Sequence, residues 1–263
     1  MNIPVYVISL QTALERRQGV RAEMARHGLW FEFVDAIDGA SMTAAERNKA
    51  YDAYENSSAF KRPLSTGEIA CALSHRAIWW RIASSKAPFA MVCEDDMRFL
   101  SSPKPFLALA EQVGDHLEDV IIKLDGVVPR GKEIGQLGAW ALLSARRLPP
   151  RTTGYLIGRK AARRLLDQFP ATVRRPVDID LKRYWEHRVP VLVAHPQLVA
   201  EQAGVVSSLS ASRAERKAAS LVWRFWRNLS YQGSMVFHRA LHTPERHRTK
   251  ALSNRLRELE IRA

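Results

Sequence analysis

The sequence predicts an α/β protein: a doubly wound sheet flanked by helices, followed by a basic helical tail. Three observations carry this. The chain opens strand–helix–strand with short links, the start of a doubly wound domain. A short apolar strand further on runs straight into three carboxylates, Glu94, Asp95 and Asp96. From residue 207 onward the composition turns strongly basic.

Residues 3–10 read as a first strand buried on both faces. Residues 11–17 lead into a helix that runs to about His27 and stops at Gly28. Residues 29–34 form a second strand, which delivers Asp35 and Asp38 in a carboxylate-bearing turn ending at Gly39. Arg16 and Arg17 sit near the helix start, where a diphosphate would lie; a solvated face is the plainer reading of such a pair. Residues 41–54 read as a capped helix and residues 56–58 as a mobile loop. Ser65 and Glu68 have capping-box spacing and open an apolar helix interrupted by Ser74, His75 and Arg76. His75 is either a satisfied core histidine or a group near the cleft.

The run from Phe89 to Cys93 is short, apolar and preceded by Pro88, which suits a core strand. Ligands of open α/β sheets bind at the carboxyl ends of strands. Residues two apart share a face, so Glu94 and Asp96 are expected to point together while Asp95 points elsewhere. Carboxylates this close repel unless a cation joins them. All-oxygen ligands favour Mg²⁺ or Mn²⁺, with a substrate phosphate completing the shell. The competing reading is a solvated acidic turn.

Beyond it, residues 105–118 read as a helix, 119–125 as a strand ending in polar groups that include Lys123, and 139–143 as a strand. Residues 152–157 read as a strand, 159–169 as a basic helix stopped by Pro170, and 189–194 as a last strand ended by His195-Pro196. Asp178 and Asp180 precede a short helix to His187. No internal repeat is evident.

The chain has 263 residues, net charge +13 and 46% hydrophobic content, enough for one large domain with an appendage and a bias toward anionic partners. Cys71 and Cys93 make no disulfide framework and read as small hydrophobes. The first residues lack a basic n-region, and no window approaches the roughly 18 apolar residues of a bilayer span. The expected location is the cytoplasm. The expected division is 1–206 for the body and 207–263 for the tail. The tail carries twelve Lys/Arg against four Asp/Glu. Leu221, Val222, Phe225, Trp226 and Leu229 recur there at helical spacing, so this helix either lies on anionic lipid at the inner membrane face or packs back on the body. Residues 252–261 read as a second short helix or as disordered.

The order of motifs resembles glycosyltransferase family 25. The residues that carry it are Val5 to Leu10 with Arg16-Arg17, then Phe33-Val34-Asp35-Ala36-Ile37-Asp38-Gly39, then the block G-E-I-A-C-A-L-S-H from Gly67 to His75. Glu94-Asp95-Asp96 follows where that family has its acidic motif. Gly154-Tyr155-Leu156-Ile157, Pro176-Val177-Asp178 and Pro196-Gln197-Leu198-Val199 continue the order, over roughly residues 3–208. The resemblance implies a GT-A-like fold, a UDP-sugar donor carrying galactose or glucose, inversion at the anomeric carbon, and a lipopolysaccharide, glycolipid or oligosaccharide acceptor. E-D-D replaces a plain D-x-D, which leaves open which oxygens meet the metal.

Such a transfer needs a cation on the leaving diphosphate, and Glu94 and Asp96 are the expected ligands of Mn²⁺ or Mg²⁺, with His195 as a further ligand or a surface histidine. Ser9, Leu10, Arg16, Arg17, Asp35, Asp38, His75, Asp95 and Lys123 are the expected donor-binding residues: the arginines on phosphates, Asp95 on ribose, Asp35 or Asp38 on the nucleoside. An inverting displacement also needs a base on the acceptor hydroxyl. Asp178 is the first choice and Asp180 the second, with an N-cap role as the alternative for Asp178. A metal-dependent phosphoesterase or nuclease would explain the carboxylates and the charge but leaves the Gly67–His75 block without a role. A nucleic-acid binder explains only the charge, and no recognised module accompanies it. Nucleic acid is not an expected partner.

Overall fold

A computed structural model describes residues 3–128, 130–202, 221–241 and 246–260. Its centre is an eight-stranded mixed sheet in the order β2-β1-β3-β8-β5-β9-β7-β6. The strands are β1 Val5–Ser9, β2 Glu32–Asp35, β3 Phe89–Glu94, β5 Ile121–Lys123, β6 Lys132–Leu137, β7 Trp140–Ser144, β8 Gly154–Gly158 and β9 Val191–His195. β1 pairs in parallel with β2 and β3, and β5 with β9. β8 runs antiparallel between β3 and β5, so β1, β2, β3, β5 and β9 all present their carboxyl ends on one edge. A separate antiparallel pair joins β4 Met97–Phe99 to β10 Val199–Glu201.

The period of two along each central strand divides the core into two layers. Val5, Val7, Met91, Cys93, Leu156 and Leu192 face one core, which also takes Val20 and Met24 of α1 (Leu14–Arg26) and Phe106 and Leu107 of α5 (Lys104–Val113). Tyr6, Ile8, Ala90, Val92, Tyr155 and Val191 face the other. That second core is roofed by α4 (Thr66–Ala83), α6 (Arg159–Gln168), α7 (Val177–Lys182) and α8 (Tyr184–His187). Central strands covered on both faces read as near-continuous apolar runs, which is why they were visible in the sequence.

Several expectations need correction. α1 begins at Leu14, so Arg16 and Arg17 lie inside its first turn. Residues 56–58 are not a loop. Thr43 caps a short α2 (Ala44–Ala50) through a capping box, and Asp52 caps α3 (Ala53–Ala59), which contains them. Asn56 is buried there and donates to the Arg174 carbonyl at 2.8 Å, so a tertiary contact holds a segment whose composition suggested mobility. The sequence reading also passed over β4, β6 and β10. β6 is an edge strand with exposed Lys132 and Glu133, a composition that guards an edge and hides the alternation.

The tail forms two helices, α9 (Leu221–Leu241) and α10 (Arg246–Glu260). α10 is ordered and packed: Leu252 and Leu256 enter the first core, and Ser253 donates to the Ile134 carbonyl at 2.7 Å. α9 turns Arg227, Tyr231, Met235 and His238 toward the body. Arg227 donates to the Asn56 carbonyl at 2.9 Å, Tyr231 meets Phe60 edge-on, and His238 stacks on Trp185. Leu229, Val236, Phe237 and Leu241 of the same helix are exposed. The expected apolar positions from Leu221 to Trp226 lie on this helix, with side chains outside the described residues. Among the described residues no helix is long and apolar enough to cross a membrane.

One close approach sets the rim of the sheet edge. A Cβ on Gly39 would lie 2.7 Å from backbone atoms of Thr66 and Gly67, at the first turn of α4. The turn after β2 is held there by Ile37, whose amide donates to Ser74 Oγ at 2.9 Å. Gly39→Ala should therefore cost about 1–3 kcal/mol through overpacking against backbone that cannot yield. Thermal unfolding should record this as a fall of several degrees, and an unchanged melting temperature would contradict the packing described.

Candidate active site

Glu94 ends β3 on the face that α4 covers, in phase with Ala90 and Val92. Its Oε1 accepts from His75 Nε2 at 3.2 Å and from Thr152 Oγ1. Burial pushes the Glu94 carboxyl up, but the hydrogen bonds from His75 and the Thr152 hydroxyl and the nearby Lys123 outweigh it and hold the group below the ordinary carboxylate range. β3 ends at Glu94, so Asp95 and Asp96 lie in the turn to β4 and not on an extended strand as the alternation assumed. Asp95 accepts from Ser9 Oγ and Arg16, both at 2.8 Å.

Asp96 is different. Its Oδ1 is buried without a hydrogen-bond partner among the described residues. Burial, then Glu94, Glu201 and Asp95, push its carboxyl up to about 7. Glu201 arrives from β10, which pairs with β4 opposite Met97; the Gln202 amide donates to the Asp96 carbonyl at 2.7 Å. An oxygen donor left without a partner among carboxylates fits a hard divalent cation. Glu94 and Asp96 would hold it, with Glu201 adjacent.

Lys123 closes the floor. Its Nζ donates to the Arg151 carbonyl at 2.5 Å and pairs with Asp125 at 2.9 Å. Asp125 in turn accepts from the Thr153 amide at 3.1 Å. Together they pin the segment that carries Thr152, where Arg151 has a left-handed φ of 78° and pairs with Glu201 at 2.9 Å. Lys123 is thus held by protein groups and reaches Glu94 through charge.

The other expected residues separate. Arg17 donates to the carbonyls of Ser9 and Leu10, pairs with Asp35 and covers the Phe33 ring, so it braces the end of β1. Asp35 is exposed beside it. Asp38 accepts from the Ala40 amide at 2.9 Å in the turn at Gly39. Asp180 is buried and accepts from Arg175 Nε at 2.6 Å; Arg175 is itself buried and also pairs with Glu186. Burial pushes the Asp180 carboxyl up against the pull of Arg175. This ion pair occupies Asp180 structurally, which corrects its reading as a second-choice base. Asp178 stands in the first turn of α7 and makes no side-chain cap bond, so the N-cap alternative falls. It is partly open, 3.6 Å from Lys182, and near enough for its charge to act on Cys71 and Arg62. His195 is exposed at the end of β9, opposite Ala141. It does not join the Cys71, His75 and Glu94 ligand atoms, which lie within 4.8 Å of one another.

The sequence reading missed Cys71, Thr152, Tyr155 and Glu201 as site neighbours. Cys71 and His75 are four apart on α4, one helical face, and that spacing was the available signal. Burial pushes the Cys71 thiol well above its usual range, so it faces the site as a neutral group.

Fold and site define a class first: an α/β protein with a carboxylate cluster at the carboxyl end of a parallel strand, where such sheets bind ligands. The chain belongs to glycosyltransferase family 25 and is a glycosyltransferase: the family pattern, described as Glycosyltransferase family 25 (LPS biosynthesis protein), matches residues 2–181. It is 29% identical over 214 residues to the lacto-N-neotetraose biosynthesis glycosyltransferase LgtB of Neisseria meningitidis serogroup B, covering 75% of this chain and 74% of that protein. It is 30% identical over 182 residues to a glycosyltransferase 25 family member of Aedes aegypti, covering 66% of this chain and 29% of that one. The lipooligosaccharide biosynthesis protein lic2B of Haemophilus influenzae is 25% identical over 167 residues, 61% of each chain.

The raised Asp96 carboxyl gives a signed pH dependence. Without metal the native state holds a proton there below about pH 7, and a bound cation must displace it. Mn²⁺ affinity should therefore strengthen as pH rises through about 7, with proton release. Calorimetry in two buffers of different ionisation enthalpy measures this; an affinity flat from pH 6 to 8 would remove Asp96 from the ligand set.

Proposed function

We propose that this protein is an inverting, GT-A-type hexosyltransferase that moves galactose or glucose from a UDP-sugar to a lipopolysaccharide- or oligosaccharide-type acceptor. The observation that carries the proposal is the unpartnered, buried Asp96 oxygen beside Glu94 at the carboxyl end of β3. The names of the relatives, lacto-N-neotetraose and lipooligosaccharide biosynthesis proteins, support the acceptor class.

Glu94 and Asp96 would hold a divalent ion, Mn²⁺ or Mg²⁺, which would supply positive charge to stabilise the leaving diphosphate. Ser9 and Arg16 fix Asp95, whose carboxylate orients the ribose. Asp178 takes the proton from the attacking acceptor hydroxyl as that oxygen bonds the anomeric carbon from the face opposite the leaving UDP. Lys182, one turn further along α7, lies 3.6 Å from the Asp178 carboxylate.

We also assign the outer face of α9 to the membrane that carries such an acceptor. Leu229, Val236, Phe237 and Leu241 are exposed there, on a tail with twelve basic and four acidic residues. That combination suits an anionic interface on the cytoplasmic side. It coexists with packing, since opposite faces of one helix serve the two roles.

The test of function is transfer from UDP-galactose and UDP-glucose to a lipooligosaccharide-type acceptor with Mn²⁺, with the anomeric configuration of the product read by NMR. Asp178→Asn should keep donor binding and lower kcat by about 10²–10⁴, the usual worth of a general base. Normal turnover would place the base elsewhere. For the membrane face, Val236→Ser with Phe237→Ser should weaken binding to phosphatidylglycerol vesicles while preserving turnover on a soluble acceptor. Unchanged vesicle binding would contradict the assignment.

A further inference from the structure

The G-E-I-A-C-A-L-S-H block places His75 on α4 with no direct part in the chemistry above. The structure surrounds it with a complete hydrogen-bond chain. Trp79 Nε1 donates to the Tyr155 hydroxyl at 3.0 Å, Tyr155 Oη lies 2.8 Å from His75 Nδ1, and His75 Nε2 lies 3.2 Å from Glu94 Oε1. Trp79, Tyr155 and His75 are each at most 1% exposed, so no solvent substitutes for a missing partner.

Burial makes the direction of this chain readable. An indole N–H only donates, and a carboxylate only accepts. Tyr155 Oη therefore accepts from Trp79 and spends its own proton on His75 Nδ1. His75 then carries its proton on Nε2 and donates it to Glu94. The opposite tautomer would aim a bare nitrogen lone pair at a carboxylate oxygen and leave the Tyr155 hydroxyl proton without an acceptor. Burial also keeps the Tyr155 hydroxyl protonated, well above its usual range, so the donor end of the chain is permanent.

Both groups that reach Glu94, His75 and Thr152, donate to the same oxygen, Oε1. Among the described residues no protein group donates to Oε2. A carboxylate held through one oxygen has a fixed plane and one oxygen left for another ligand.

We propose that Trp79, Tyr155 and His75 form a positioning chain that fixes the Glu94 carboxylate and thereby sets the affinity of the site for its divalent cation. This rests on the metal role of Glu94 proposed above. His75 and Tyr155 are positioning residues. They act through Glu94 in the way outer-shell partners orient a metal ligand, where loss typically costs 10–100-fold in metal affinity.

The experiment measures Mn²⁺ dissociation constants, by the EPR signal of free Mn²⁺ in the presence of UDP, for the full chain and four variants. Tyr155→Phe removes one oxygen. His75→Leu removes both ring bonds, and His75→Gln offers an amide N–H to Glu94 and a carbonyl to Tyr155. Asp96→Ala is the control for the metal site. The expected result is a 10–100-fold weaker Mn²⁺ constant for Tyr155→Phe and His75→Leu, with His75→Gln recovering most of it and one Mn²⁺ site retained throughout. Mn²⁺ constants for Tyr155→Phe and His75→Leu within twofold of the wild type, while Asp96→Ala abolishes binding, would overturn the positioning chain and leave the metal site standing. A wild type that binds Mn²⁺ no better than Asp96→Ala would overturn both. Should His75→Leu fail to fold, Tyr155→Phe alone decides between the same outcomes.

Discussion

Crowded carboxylates at the end of β3 are the constraint on which the site depends. Glu94, Asp95, Asp96 and Glu201 converge on one sheet edge, and like charges this close cannot all stay ionised without compensation. Each is handled differently. Asp95 is neutralised by Arg16, Glu94 is held by His75 and Thr152, and Glu201 by Arg151. Of these four, Asp96 is the one with a buried oxygen that lacks a hydrogen-bond partner among the described residues. That unbalanced position is the observation on which the proposed divalent-cation site rests.

Much of the surrounding structure serves to hold these groups apart and in place. β1 supplies Ser9, and α1 reaches it with Arg16. α4 supplies His75 from its buried face and is capped by Ser65 and Glu68, with Arg62 clasping Glu68. Gly39 lets the turn after β2 lie against the first turn of that helix. The Lys123–Asp125 pair fixes the strained segment that carries Thr152. On the far side, buried Arg175 and Asp180 with partly buried Glu186 tie α7 to α8, so the helix bearing Asp178 is anchored by charge pairs. Breaking such a group by removing one partner is far costlier than its net worth to the fold.

The double-sided core was legible because strands covered on both faces leave continuous apolar runs: β1, β3 and β8 are plain in the sequence. The end of β3 at Glu94 was legible because a short apolar run gives way there to carboxylates. What was hidden needed tertiary information. Asn56 looks like a loop residue until its bond to Arg174 is seen. β6 is polar because it is an edge. Arg17 and Asp180 carry charges typical of a ligand site, yet partners remote in sequence or five residues away absorb them. Tyr155 and Thr152 are ordinary residues in an ordinary strand and its approach, and only the pairing of β8 with β3 brings them to Glu94.

The central claim is that the unbalanced carboxylate binds a cation that in turn binds a sugar nucleotide. Thermal unfolding with UDP, UDP-galactose, UDP-glucose and GDP-mannose, each with and without Mn²⁺, tests it most directly. A ligand at about 100 times its dissociation constant adds roughly 2.7 kcal/mol to stability, a shift that melting curves resolve. The account predicts a large rise with UDP or one UDP-sugar only when Mn²⁺ is present, and little with GDP-mannose. Equal shifts with and without Mn²⁺, or no shift with any nucleotide, would contradict it.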